Sequence, residues 1–173
     1  SAQSIHAASI RSGQPFIDIN CAALPSQLLE GLLFGSVKGG FTDAQDRPGL
    51  FEQAHGGTLL LDEINSMDMA LQGKLLRALQ EKKIRRLGAM SSTDIDVRII
   101  STINKAPEQA IEDRELREDL FYRLSVTNLN IEPLRNRQED IPIYVDFFLK
   151  KYAYKLGLRI HACSAKVMAL FQH

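Results

Sequence analysis

Residues 57–64, GTLLLDEI, are apolar on both faces of any strand they form, and they end in two adjacent carboxylates, Asp62 and Glu63. A half-exposed strand alternates apolar with polar side chains. A run like this one is covered on both sides, as a central strand of a parallel sheet is. PFIDIN (15–20) reads as a short strand with its proline at an edge, and a further strand is expected from Val97 to Ile103 in VRIISTIN. Helical patterns separate them. LPSQLLEGLLFG (24–35) repeats leucine at 24, 28, 29, 32 and 33, and MALQGKLLRALQEKK (69–83) is apolar at Met69, Leu71, Leu75, Leu76 and Leu79. Strands alternating with helices predict an α/β fold, a parallel sheet flanked by helices.

Around this centre, SAQSIHAASIRSG (1–13) reads as the end of a helix closed by Gly13. APEQAIEDRELREDLFYRLS (106–125) supplies one or two short helices, TNLNI (127–131) a further strand, and EPLRNRQEDI (132–141) a turn-rich junction. Helical patterning resumes at Ile141. The expected division is an α/β part over 1–134 and the start of a helical part over 135–173. Neither internal repeats nor low-complexity tracts occur.

The acidic pair lies where a buried strand runs out, and ligands of open parallel sheets gather at that end. An Asp there can hold Mg²⁺ through its water shell, and the neighbouring Glu can polarise an attacking water. The plain alternative is that Asp62 caps the next helix and Glu63 is solvated. Asn20 and Asn104 close the two neighbouring strands, where an amide could reach the same water or a phosphate. Arg117 and Arg123, six residues apart, could neutralise a phosphate held by a neighbouring subunit. Each is commonly structural alone; together they form a less accidental set.

Lys plus Arg and Asp plus Glu number 21 each among 173 residues, so no global field draws the chain to nucleic acid or membrane. No apolar stretch reaches membrane-spanning length and the first residues do not read as a signal peptide, which makes a cytoplasmic location the expectation. Cys21 and Cys163 are far apart, without metal-ligand spacing, and are expected as reduced thiols.

The segments NCAALPSQLLEGLLFG, KGGFTDA, GLFEQAHGGTLLLDEI, LQGKLLRALQEKKIRRLG, DVRIISTIN, LREDLFYRLSV and PLRNRQEDIP occur in that order. The chain thereby resembles the central AAA+ ATPase domain of bacterial enhancer-binding proteins, the activators of sigma-54 RNA polymerase. The resemblance implies a P-loop NTPase-type sheet followed by a helical lid, with ATP and Mg²⁺ as cofactors. It implies a Walker B role for Asp62 (Mg²⁺, through water) and Glu63 (hydrolytic water), and a restraining role on that Glu for Asn20. Asn104 matches sensor I, beside the nucleotide. Arg117 and Arg123 match the arginine fingers offered to the next subunit, hence a ring, usually a hexamer. Sigma-54 RNA polymerase is the implied partner; DNA would be reached only through a C-terminal domain outside these residues.

The same resemblance assigns Gly39, Gly40, Phe41, Thr42, Asp43 and Ala44 to the loop that touches sigma-54. A solvent-facing Phe is costly unless a partner buries it, and its burial returns roughly 1.5–3 kcal/mol. LGAMSSTD (87–94) reads as a second loop flanking the first. Gly40 and Asp43 depart from the family's usual Ala and Gly, and Ile103 from the usual Thr before sensor I. The altered tip leaves open a second reading, a nucleotide-dependent assembly module of a regulator that does not use sigma-54. No G-x-x-x-x-G-K-[ST] occurs in the 173 residues. The sequence thus reads as a domain lacking its phosphate loop and first strand, and the fragment is expected to bind ATP poorly.

Overall fold

The computed structural model describes residues 1–39, 45–158 and 162–171. They form two compact units, Ser1–Thr127 and Asn128–His173.

In the first unit the doubly apolar run becomes the middle strand, β4 (Thr58–Asp62), of a three-stranded parallel sheet. Strand β1 (Phe16–Asn20) pairs with it from Phe16 opposite Thr58 to Asn20 opposite Asp62. Strand β7 (Arg98–Ser101) pairs on the other side, from Arg98 opposite Thr58 to Ser101 opposite Leu61. Leu59 and Leu61 are fully buried on one face and Thr58 on the other, where Leu60 is half-buried, so both faces are covered. Gly57, just before β4, admits no side chain: a Cβ there would lie 2.0 Å from the Pro15 carbonyl oxygen.

The helices that cover the sheet follow the apolar spacing. Helix α2 (Ser26–Phe34) buries Leu29 and Leu33, and α4 (Met69–Glu81) buries Leu71 and Leu75. Each fully buried leucine contributes about 1.5–3 kcal/mol relative to exposure. Asp68 caps α4 by accepting the Leu71 N–H at 2.7 Å, which with neighbouring donors holds its carboxyl below the ordinary range. Helices α5 (Pro107–Glu112) and α6 (Glu118–Leu124) follow β7, and α6 packs on α4 through the buried Leu120.

A short antiparallel pair, β2 (Gly35–Ser36) with β3 (Arg47–Pro48), forms the base of the glycine-rich loop, and the one-turn α3 (Leu50–Gln53) leads back to β4. Gly35 has φ of 78°, and a Cβ on it would sit 2.5 Å from the Arg47 carbonyl oxygen. The base of the loop is tied down further. Ser36 donates its hydroxyl to the Gln45 carbonyl at 2.6 Å, and Leu87 of the second loop exchanges main-chain bonds with Gly35 and Val37. The second loop itself is closed by β5 (Lys83–Ile84) and β6 (Thr93–Asp94).

Three expectations change. The first helix, α1 (Ala2–Ala7), ends well before Gly13, because the Ser9 hydroxyl donates to the His6 carbonyl at 2.7 Å and accepts the Arg11 N–H, turning the chain. The strand expected over Val97–Ile103 narrows to Arg98–Ser101. Residues 127–131 form no strand, since no ladder among the described residues offers them a partner.

The second unit holds α7 (Ile141–Leu156) and α8 (Ala165–Phe171). Gly157, at φ of 65°, ends α7 in the left-handed conformation, with the Leu158 N–H donating to the Ala153 carbonyl at 2.9 Å. No helix among the described residues is long and apolar enough to cross a membrane.

Candidate active site

The parallel register decides what meets at the carboxyl end of the sheet. Asn20 and Asp62 are direct partners at the ends of β1 and β4, so their side chains share a face. The Asn20 amide donates to Asp62 Oδ2 at 3.3 Å, and its Oδ1 accepts the Ala22 N–H at 2.8 Å, which fixes the amide in an Asx turn. Thr102, one residue past β7, donates its hydroxyl to Asp62 Oδ1 at 2.6 Å. Both carboxylate oxygens of Asp62 are thereby held.

Glu63 leaves the strand with φ of 57° and ψ of 54°, a left-handed conformation that costs a non-glycine residue of order 1 kcal/mol or more. Its amide donates to Thr102 Oγ1 at 2.9 Å, and the next amide, of Ile64, donates to the Thr102 carbonyl at 3.1 Å. The Asn20 amide, expected on Glu63, bonds the neighbouring Asp62, and among the described residues it makes no hydrogen bond to Glu63.

Asn104 joins this end by another route: its Oδ1 accepts the Asn65 amide at 3.1 Å, two residues beyond Glu63. Arg117 and Arg123 do not bond with the acidic pair. Arg117, at the N-cap of α6, makes a two-point pair with Asp119 at 2.9 and 2.7 Å, which raises its pKa and lowers that of Asp119. Arg123 donates to the Leu79 carbonyl at 3.0 Å. Gly39 has φ of 83°; Gly40, Phe41, Thr42, Asp43 and Ala44 lie outside the described residues.

Beneath the pair is Cys21, whose amide donates to the Asp62 carbonyl at 2.9 Å. Burial, then the charges of Asp62 and Glu63, push its thiol up to about 12, so it is protonated and inert at neutral pH.

Four participants were not singled out from sequence: Thr102, Asn65, Gln72 and Glu115. Thr102 was legible in principle, because one further step of the β4–β7 register past Leu61–Ser101 places it beside Asp62. Gln72 carried a signal too, being a polar residue within the apolar stripe of α4; it is fully buried.

This arrangement of amides, a hydroxyl and carboxylates at the end of a parallel sheet meets a direct family match: a sequence model described as Sigma-54 interaction domain fits residues 1–130. The chain belongs to that family. The transcriptional activator RocR of Bacillus subtilis is 57% identical over 170 residues, 98% of this chain and 37% of RocR. The transcriptional regulatory protein FlbD of Caulobacter vibrioides is 49% identical over 95% of this chain and 36% of its own length. The crystal structure of NtrX from Brucella abortus in complex with ADP superposes with a TM-score of 0.90 at 38% identity, covering 99% of this chain and 37% of NtrX. The fold is the AAA+ type, and the chain spans little more than a third of each of these three relatives.

Proposed function

We propose that this chain is part of the ATP-hydrolysing core of a transcription activator that contacts sigma-54 and remodels the RNA polymerase closed complex. The observation that carries the reading is the strand-end constellation: Asp62 held by Asn20 and Thr102, with Glu63 next to it in a left-handed backbone conformation tied to Thr102. The family match and the nucleotide-bound NtrX structures, one with ADP and one with ATP, support it. The relatives RocR and FlbD are transcriptional regulators by name. Nothing in these likenesses favours the reading without sigma-54.

The donor set fits Mg²⁺, a hard cation usually held by one or two carboxylates while waters and phosphate oxygens complete its octahedron. Asp62 would hold it through water. When bound, Mg²⁺ neutralises charge on the β- and γ-phosphates. Glu63 would orient the attacking water and accept its proton, its backbone being fixed at the sheet's end by Thr102. Asn104 would sense the γ-phosphate, and Asn20 would report the state of Asp62 to β1. Arg117 and Arg123 would act on a neighbouring copy's nucleotide, in a ring taken to be a hexamer. Their present partners, a surface carboxylate and a main-chain carbonyl, are exchangeable for phosphate.

Phe41 and Thr42 would be the tip that engages sigma-54, within a contact segment running from Gly39 to Ala44 and including Gly40 and Asp43. The route from the site to that tip is short. Chain leaving β3 passes through α3 into β4, whose end is the acidic pair. In this reading 1–134 form the α/β subdomain and 135–173 begin the helical lid. The whole protein works in the cytoplasm and reaches DNA through a separate C-terminal domain. In the full-length protein, Glu63→Gln is expected to abolish ATP hydrolysis while leaving ATP binding within about threefold. Phe41→Ala is expected to spare hydrolysis and to abolish retention of sigma-54 in the presence of an ATP transition-state mimic. Retention that survives Phe41→Ala would refute the loop assignment.

A further inference from the structure

Gln72 is fully buried in α4, and all its hydrogen bonds go to main chain. Its amide donates to the Met67 carbonyl at 2.9 Å and to the Glu115 carbonyl at 2.7 Å, and its Oε1 accepts the Arg117 N–H at 2.9 Å. One side chain thus grips the peptide on both sides of Leu116, immediately before α6. The side chain of Glu115 is gripped as well. Lys105 Nζ donates to Glu115 Oε2 at 2.7 Å, and Asn65 donates towards the same oxygen at 3.5 Å and to Asn104 Oδ1 at 3.1 Å. Residues 115–117 are therefore tied to two places at once: the turn that follows Glu63, and the segment that follows β7.

We propose that Gln72 is a positioning residue for Arg117, fixing through the Glu115–Arg117 main chain where that arginine is presented to a neighbouring copy. The proposal rests on the reading that Arg117 acts in trans. Its physical basis is the choice of partners. A buried amide that merely satisfied its own helix would bond within α4, whereas two of the three bonds of Gln72 land on the segment that aims Arg117. The third lands on Met67, four residues beyond Glu63, so the arginine is referenced to the acid end of the same subunit. Leu116 and Leu120, both buried, hold the other side of the segment, leaving Gln72 as its polar register mark.

The test uses the full-length protein and subunit mixing. Gln72→Met keeps the volume and removes the bonds. By itself it is expected to hold KM for ATP within about threefold and to lose on the order of 100-fold in kcat, the scale of a misplacement of about 1 Å. Co-assembly with Glu63→Gln subunits is expected to restore hydrolysis, because those subunits lack a working carboxylate but present a correctly placed Arg117. The control mixture pairs Arg117→Ala with Glu63→Gln. Restoration in both mixtures supports the proposal. Restoration in the control alone overturns it, since Gln72 would then serve its own subunit's site. No restoration in the control overturns the in-trans reading itself, and the proposal with it. If Gln72→Met does not fold, Gln72→Glu is tested in the same mixtures; failure of both to fold assigns Gln72 to the fold alone and also overturns the proposal.

Discussion

Thr102 donates its hydroxyl to Asp62 at 2.6 Å while accepting the amide of the next residue, Glu63, at 2.9 Å. One oxygen thus sets the carboxylate of the first acid and the backbone of the second. Thr102→Val preserves the shape and leaves that amide without its partner. It is expected to cost about 1–3 kcal/mol in urea unfolding, with ATP hydrolysis falling at least tenfold in the full-length protein. Thr102→Ser, which keeps the oxygen, should retain most of both. A larger loss in Thr102→Ser than in Thr102→Val would show that the methyl group, not the hydroxyl, matters.

Gly57 and Gly13 make a paired test of the packing before the sheet. A Cβ on Gly57 would meet the Pro15 carbonyl oxygen at 2.0 Å, whereas one on Gly13 would meet nothing within 4 Å. The obstacle at Gly57 is backbone, so β1 and β4 must move apart at their first register pair. Gly57→Ala is expected to destabilise by about 3 kcal/mol, the upper range of overpacking, and Gly13→Ala by less than about 0.5 kcal/mol. Denaturant midpoints of the two variants decide the matter.

The fold's middle was readable because its signal is local: Leu59 and Leu61 are buried on β4, where the apolar run placed them, and the leucine spacing gave α2 and α4. The acidic pair and Asn20 were readable because strand ends in a parallel sheet converge. What escaped depends on partners remote in sequence. Thr102 acts through register against residues about forty positions away, and Gln72 through bonds to residues more than forty positions away. The early end of α1 escaped for a different reason, a competition won by the Ser9 hydroxyl that no periodicity reveals. Likewise 127–131 carry strand-like composition, but a strand exists only with a ladder partner.

Cys21 offers a chemical readout of the site's integrity. Its thiol is buried under Asp62 and its pKa is pushed up to about 12, against an ordinary value of 9.0. Alkylation requires the exposed thiolate, so iodoacetamide at pH 8 should modify Cys21 only as fast as the unit opens. Asn20→Ala, which removes a tether of the β1–β4 end, is expected to speed that labelling severalfold. Labelling of Cys21 itself, followed by peptide mapping apart from the more accessible Cys163, at the rate of a free thiol would contradict the burial.

Acid stability should depend on Glu52 at the loop base. Arg86 grips its two oxygens at 2.8 and 2.7 Å, and Gly49 donates its amide at 3.2 Å. The Arg86 bond is the main reason the carboxyl is held below its ordinary value of 4.5. A carboxyl depressed in the folded state binds fewer protons there than in the unfolded chain. Its contribution is therefore complete above about pH 4.5 and disappears as the pH falls through the depressed value. Glu52→Gln is expected to be less stable than the parent at pH 7, with the gap closing progressively below pH 4.5. Asp46, which also meets Arg86 at 2.8 Å, is far more exposed, so Asp46→Asn should cost less than about 1 kcal/mol at either pH. Denaturation of the three proteins at pH 7 and at pH 3 separates the outcomes: a Glu52→Gln gap that is unchanged at pH 3 would mean that the carboxylate charge is not what the loop base uses.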